Sequence, residues 1–155
     1  REVERLAAGS PVVVAGDLNS TPFLEGAPGA MSGAYELLTQ GRVEASHPHH
    51  PAALRRGAGI LRGVLPQDVP ELVVAPLRSA YREAHGAEGP VTNVSRDFRG
   101  CLDYVLFGGA GLRLCGARPL PGEEELPPGC VLPSAAHPSD HLPLLAEFEL
   151  PAAAP

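Results

Sequence analysis

Basic charge is scarce in this chain. Twelve Lys and Arg stand against 18 Asp and Glu, a net charge of −6. A protein that binds nucleic acid over its whole surface normally shows a basic face, so that class is disfavoured. An enzyme that meets phosphate through a divalent cation is not, because clustered carboxylates are then required. Cysteine is also sparse: Cys101, Cys115 and Cys130 form no CxxC pair, which removes the zinc-ribbon and disulfide-scaffold readings. They read as small core hydrophobes in a reducing, intracellular compartment. No apolar run approaches the roughly 18 residues needed for a membrane span, so no span is expected, and no secretory signal peptide is expected either.

Glycine and proline are abundant, 18 of each in 155 residues, and imply long, turn-rich connections in a chain with room for one domain or a large part of one. The chain begins at Arg1 within what reads as a helix end, so it is expected to be the later part of a longer domain. Pro11–Ala15 (PVVVA) reads as a buried strand that ends at the polar turn Gly16-Asp17-Leu18-Asn19. Met31–Gln40 has helical spacing, with Gly41 as its stop. Residues 44–76, rich in Pro, Ala, His and Gly, are expected to form a long loop, and Leu77–His85 a strand or short helix. Leu102–Phe107, Leu112–Ala117 and Leu142–Leu150 read as strands; residues 119–133 are an acidic, Pro-rich connection, and 151–155 a tail. Strands mixed with helices and long loops indicate an α/β or α+β class.

Three polar clusters stand at strand ends: Asp17-x-Asn19, Asp103 and Ser139-Asp140-His141. Such placement gathers side chains at one rim of a sheet, where a rigid scaffold holds loop residues for chemistry. Phosphodiester cleavage wants these types. Carboxylates hold a hard cation that neutralises phosphoryl charge, an amide donates to an oxygen, and a carboxylate fixes the tautomer of a general-base histidine. Asp103 with His141 would make that last pair, leaving Asp17 and Asp140 for metal or water. Each cluster has a plainer alternative. Asp17-Leu18-Asn19 also suits an Asx turn, Asp103 a structural ion pair, Ser139-Asp140 a turn or cap, and His141 a core histidine. The His47-Pro48-His49-His50 run is not read as a metal site, because it lies in a Pro-rich loop without dispersed, fixed geometry.

Taken jointly, these residues resemble a known family. Gly16-Asp17-Leu18-Asn19-Ser20-Thr21-Pro22 after PVVVA resembles the GDxNSxP motif of the endonuclease/exonuclease/phosphatase superfamily, Leu102-Asp103-Tyr104 its internal DY strand, and Ser139-Asp140-His141 its closing SDH motif. Thr92–Phe107 (TNVSRDFRGCLDYVLF) and Leu77–Tyr81 (LRSAY) look like CCR4-type deadenylases, and GRVEASHPHHP with Gly59-Ile60-Leu61-Arg62 looks like their plant and algal branch. Gly100–Tyr104 and LPSAAHPSDH are similar to the 2′-phosphodiesterase relatives as well.

The resemblance implies a four-layer α/β sandwich, of which residues 1–150 would form the C-terminal half. It implies a 3′→5′ exoribonuclease that uses Mg²⁺, with Mn²⁺ as an alternative, and shortens poly(A) to 5′-AMP. In that scheme Asp17 and Asn19 position water and phosphate, Asp103 orients the catalytic His141, Asp140 and Asp17 contact metal, and Asn93 and Phe98 meet the 3′-terminal nucleotides. Phe98 would offer a stacking face or else be a core aromatic, and Asn93 could equally brace a turn. A metal-binding Asn and Glu would lie before Arg1, so the chain alone is expected to be inactive. The implied partners are an RNA 3′ end and a CCR4-NOT-type complex reached through segments before Arg1, with no membrane. The implied compartment is the cytoplasm, with the nucleus and mitochondrion as alternatives. A phosphatase or phosphodiesterase acting on a nucleotide or 2′,5′-oligoadenylate is the second reading, and a non-catalytic binding remnant the third.

Overall fold

The computed structural model describes residues 5, 7–27, 29–53, 72–122 and 124–150. These fall into two compact units, the described residues of Pro22–Leu77 and those of Glu2–Thr21 with Arg78–Pro155. Among the described residues, no helix is long and apolar enough to cross a membrane.

The 22–77 unit is built on α1, Gly33–Gln40. Its start is later than the expected Met31, because Met31 pairs through its backbone with Phe23 and Ser32 N–H donates to Pro22 O at 3.1 Å. Tyr35 faces inward and is buried. The helix stops at Gly41, as its sequence suggests: φ is 80°, its N–H bonds to Leu37 O, and an added Cβ would meet Val74 O at 2.7 Å. The long loop expected over 44–76 needs correction at its end. Leu72–Val73 (β3) pairs antiparallel with Arg42–Val43 (β2), and Val74 N–H donates to Gly41 O at 2.9 Å. The β-branched run there finds a partner as soon as the chain leaves α1. Residues 54–71 of that loop lie outside the described residues.

The second unit holds a three-stranded antiparallel sheet, ordered β1 (Val12–Asp17), β7 (Asp103–Gly108), β4 (Arg78–Ser79). Central β7 is buried from Tyr104 to Phe107, which is why LDYVLF reads as a continuous apolar run. Strand β1 runs two residues further than PVVVA predicts, because pairing continues through Gly16 opposite Tyr104 and Asp17 opposite Asp103. Leu77–His85 is both things expected of it: Ser79 ends β4 and caps α2, Ala80–His85, its hydroxyl accepting from Arg82 N–H at 3.3 Å. Ala80, Val105, Phe107 and Leu112 form a core, joined by Leu114 of β8 (Arg113–Ala117) and Phe148 of β9 (Ala146–Glu149).

Strand β9 is shorter than the expected Leu142–Leu150. Before it, Leu142 N–H goes to Thr92 O and Leu145 N–H to the Tyr81 hydroxyl, and Pro143 has no N–H to give. A second apolar cluster, Val94, Leu126, Leu132 and Leu142, packs the 119–133 connection against the hairpin of β5 (Asn93–Val94) and β6 (Arg99–Gly100). Of the cysteines, Cys101 is buried and Cys130 half-buried. Cys115 is exposed on β8, against the expectation that all three are core residues. The tail 151–155 lies outside the described residues.

Candidate active site

The polar clusters at strand ends meet because of register. Asp17 closes β1 and Asp103 opens β7, and the two are direct partners across the ladder. Like charges directly opposite one another repel, so such a rim favours a cation between or beside them. The third cluster arrives through the β5–β6 hairpin. Asn93 bridges to His141, Val94 N–H donates to Asp140 O at 2.9 Å, and Leu142 N–H donates to Thr92 O at 2.7 Å.

His141 Nδ1 lies 2.8 Å from Asp103 Oδ2. With Nδ1–H given to the carboxylate, Nε2 carries the lone pair of the neutral ring. The hydrogen bond to Asp103 lifts the imidazole above its ordinary range. Burial opposes this, and the charges of Asp103, Asp140 and Asp17 add to the rise. All three carboxylates thus favour the protonated imidazole. Its side chain keeps 32% exposure, so the ring is neither a core histidine nor loose in solvent. Asp103 Oδ2 accepts a second bond, from the Thr92 hydroxyl at 2.7 Å.

The loop after β1 has its own geometry. Gly16 sits at φ 151°, in a region that favours glycine, just before Asp17. Asp17 Oδ1 accepts Asn19 N–H at 2.6 Å, so the plainer Asx-turn reading is realised alongside the site reading. Asn19 takes φ 49° and is exposed. The loop is pinned at both ends: Leu18 N–H donates to Leu102 O at 2.9 Å, and the buried Tyr104 hydroxyl donates to Ser20 O at 2.7 Å.

Asn93 is buried and gives an amide proton to Asp140 Oδ2 at 3.4 Å, which braces that carboxylate. Phe98, at the hairpin tip, is 37% exposed, and a Cβ added at Gly100 would fall 2.8 Å from its Cζ. One side of the ring thus lies on Gly100, and the residue is not a core aromatic. A cleft of about 270 Å³ opens beside Asp103, lined also by Ala15, Gly16, Tyr104, Val105, Leu142 and Leu144.

Two of these donors have the chemistry that the divalent cation implied by the resemblance would need. Asp17 and Asp140 offer hard carboxylate oxygens, the chemistry that Mg²⁺ or Mn²⁺ prefers. Among the described residues, no three of His, Cys, Asp and Glu converge closely enough to hold a metal by themselves. The His47–His50 run is used otherwise: His47 Nε2 meets Met31 O at 3.0 Å, His49 Nδ1 accepts Gly33 N–H at 3.3 Å, and His50 Nδ1 accepts Ala52 N–H at 3.1 Å.

Sequence reasoning passed over Thr92 and the hydroxyl of Tyr104. A buried aspartate in an apolar strand signals that partners exist, but only pairing across strands says that Thr92 is one of them.

Comparison with known proteins follows the same outline. A sequence model of the Endonuclease/Exonuclease/phosphatase family matches residues 1–141. The chain is 29% identical over 151 residues to 2′,5′-phosphodiesterase 12 of Mus musculus, covering 96% of this chain and 21% of that protein. It is 31% identical over 162 residues to carbon catabolite repressor protein 4 homolog 1 of Arabidopsis thaliana, covering 94% and 25%. It is 31% identical over 140 residues to the CCR4-Not complex 3′-5′-exoribonuclease subunit Ccr4 of Aspergillus fumigatus, covering 89% and 17%. The chain thus spans a quarter or less of these relatives. Among solved structures, ANGEL2, a 2′,3′-cyclic phosphatase in complex with adenosine-2′,3′-vanadate, is similar with TM-score 0.64 and 26% identity, over 95% of this chain and 48% of that one.

Proposed function

This chain belongs to the endonuclease/exonuclease/phosphatase family, and on that premise we propose that the protein carrying it is a metal-dependent 3′→5′ exoribonuclease that shortens poly(A) and releases 5′-AMP. The observation that carries the reading is the Asp103–His141 pair at 2.8 Å, with Asp17 in register opposite Asp103. The Aspergillus relative, a CCR4-Not complex 3′-5′-exoribonuclease subunit, and the Arabidopsis carbon catabolite repressor protein 4 homolog support the CCR4-type reading. The partner in this reading is an RNA 3′ end. Membership of a CCR4-NOT-type complex is part of the same proposal.

In the proposed mechanism, His141 Nε2 takes a proton from the attacking water while Asp103 holds the ring and stabilises the imidazolium that results. Water adds to phosphorus, the bond to the 3′-oxygen of the preceding nucleotide breaks, and that oxygen takes a proton from solvent to leave as a hydroxyl, while the His141 imidazolium returns its proton to solvent. Asn19, exposed on its pinned turn, donates to a phosphoryl oxygen or to the water. Asp17 and Asp140 are the residues that would hold Mg²⁺, which supplies charge neutralisation at phosphorus when bound. Asn93 keeps Asp140 in place, and the exposed face of Phe98 stacks on a terminal base.

A second reading, phosphodiester or phosphate-ester hydrolysis on a 2′,5′-linked or cyclic nucleotide, is favoured by the mouse relative and by ANGEL2. Both readings are tested in the full-length protein with Mg²⁺. Poly(A) should be degraded faster than poly(U), poly(C) and 2′,5′-oligoadenylate, and His141→Ala should cost about 10²–10⁴-fold in rate. A preference for the 2′,5′ linkage selects the second reading. Wild-type protein with no hydrolytic activity on any of these substrates would leave only a binding role.

A further inference from the structure

We propose that Thr92 is the positioning residue of the Asp103–His141 pair and that it sets both members at once. The inference rests on the reading of that pair as the proton-handling unit.

Thr92 is 1% exposed. A threonine hydroxyl has one proton and two lone pairs, and here all three are committed. Oγ1 accepts Leu102 N–H at 2.9 Å and Asp103 N–H at 3.0 Å, which leaves its proton one destination, Asp103 Oδ2 at 2.7 Å. The same Oδ2 accepts His141 Nδ1–H. Turning the Asp103 carboxylate therefore breaks two bonds to one oxygen, and the hydroxyl cannot follow, because two backbone groups fix its direction.

The backbone of Thr92 does the matching task for the histidine. Its carbonyl accepts Leu142 N–H at 2.7 Å, its own N–H donates to Gly100 O at 2.9 Å, and the next residue, Asn93, bridges to His141. One buried residue thus references the acceptor by its side chain and the donor by its main chain. Preorganisation of this kind matters in rate, since a donor–acceptor pair held within tenths of an ångström needs no rearrangement in the transition state.

A plainer role would be that the hydroxyl only satisfies two buried N–H groups. That role predicts lost stability, not a lost chemical step. The two are separated by Thr92→Val, which keeps the shape, and Thr92→Ser, which keeps the hydroxyl, both in the full-length protein. Thr92→Val is expected to lower kcat about 10- to 100-fold with KM little changed, as loss of an outer hydrogen-bond partner does. Thr92→Ser should recover most of the rate. In an Asp103→Asn background, Thr92→Val should have almost no further effect on kcat. In the metal-free protein, the hydrogen-bonded His141 Nδ1 proton should keep its downfield NMR signal in Thr92→Ser and lose or broaden it in Thr92→Val. The proposal is overturned if Thr92→Val retains wild-type kcat, or if its full loss persists in the Asp103→Asn background. Should Thr92→Val lack a cooperative melt, the Ser variant decides: a folded Thr92→Ser with near-wild-type rate and an unmoved Nδ1 signal supports positioning, and loss of either overturns it. An unchanged rate in His141→Ala would sink the catalytic reading separately, and the Nδ1 signal would still report on Thr92.

Discussion

Each unit of the molecule contains a histidine against a carboxylate, and the two contacts are not alike. In the 22–77 unit, His47 Nε2 lies 3.6 Å from Glu36 and 3.0 Å from Met31 O, while Nδ1 accepts His49 N–H at 3.0 Å. Both ring nitrogens are used on neighbouring chain, and the side chain is 11% exposed. His47 is a clip that fastens the loop after α1 to the start of that helix. In the other unit, His141 gives Nδ1 to Asp103, its Nε2 has no partner among the described residues, and 32% of its side chain stays accessible. A histidine is available for chemistry when one nitrogen is fixed and the other is left over, and only His141 meets that condition of the two. Proximity of a carboxylate does not by itself distinguish a catalytic imidazole from a structural one.

The sharpest way to break this contrast is to remove each partner in turn. Asp103→Asn should lower the hydrolysis rate of the full-length protein about 10²–10⁴-fold, because an amide cannot hold the same tautomer. His47→Gln should leave kcat unchanged and cost roughly 1 kcal/mol of stability in a denaturant melt, the net worth of its hydrogen bonds. Comparable rate losses from both would erase the distinction.

A smaller effect is expected from Gly41→Ala, which places a Cβ at φ 80° within 2.7 Å of Val74 O. The melt should show a loss of about 1–3 kcal/mol, with the rate per folded molecule unaltered. A rate change at full folding would tie the 22–77 unit to catalysis.

The mildest test uses thiol labelling. All three cysteines belong to the site-bearing unit, so labelling reports on that unit alone. Burial pushes the Cys101 thiol up to about 12 from 9.0. Exposed Cys115 should react first at pH 8, and Cys101 only as the unit opens. The sign follows from the raised value: the contribution of Cys101 to stability is full below pH 9 and falls as pH rises from 9 toward 12, since the unfolded thiol ionises there while the folded one stays protonated. Fast labelling of Cys101 in folded protein would contradict its burial.

Much of this architecture is legible in the chain itself. The run LDYVLF declares a strand buried on both faces, and Gly41 declares where a helix must end, because both signals are local. Asp17, Asn19, Asp103, Asp140 and His141 can be nominated from their places beside strands. What local pattern cannot supply is which backbone groups are already taken. That is why Leu142–Leu145 reads as strand but bonds elsewhere, and why Asp17 extends β1 instead of ending in the turn. Thr92 escapes for the same reason: its three hydroxyl bonds reach residues ten and eleven positions away, and nothing next to it in the chain announces them.

The pinned turn after β1 carries a consequence for how this stretch can vary. Leu18 is tied at one end to Leu102 and Ser20 at the other to Tyr104, and the Asx turn at Asp17 spans the interval. The three residues from Leu18 to Ser20, ties included, act as a ruler. An inserted or deleted residue there would have to undo one tie and carry Asn19 away from the rim, whereas a substitution need not. Apart from Asn19, whose amide the proposed chemistry uses, this segment is therefore free to change its letters and is not free to change its length.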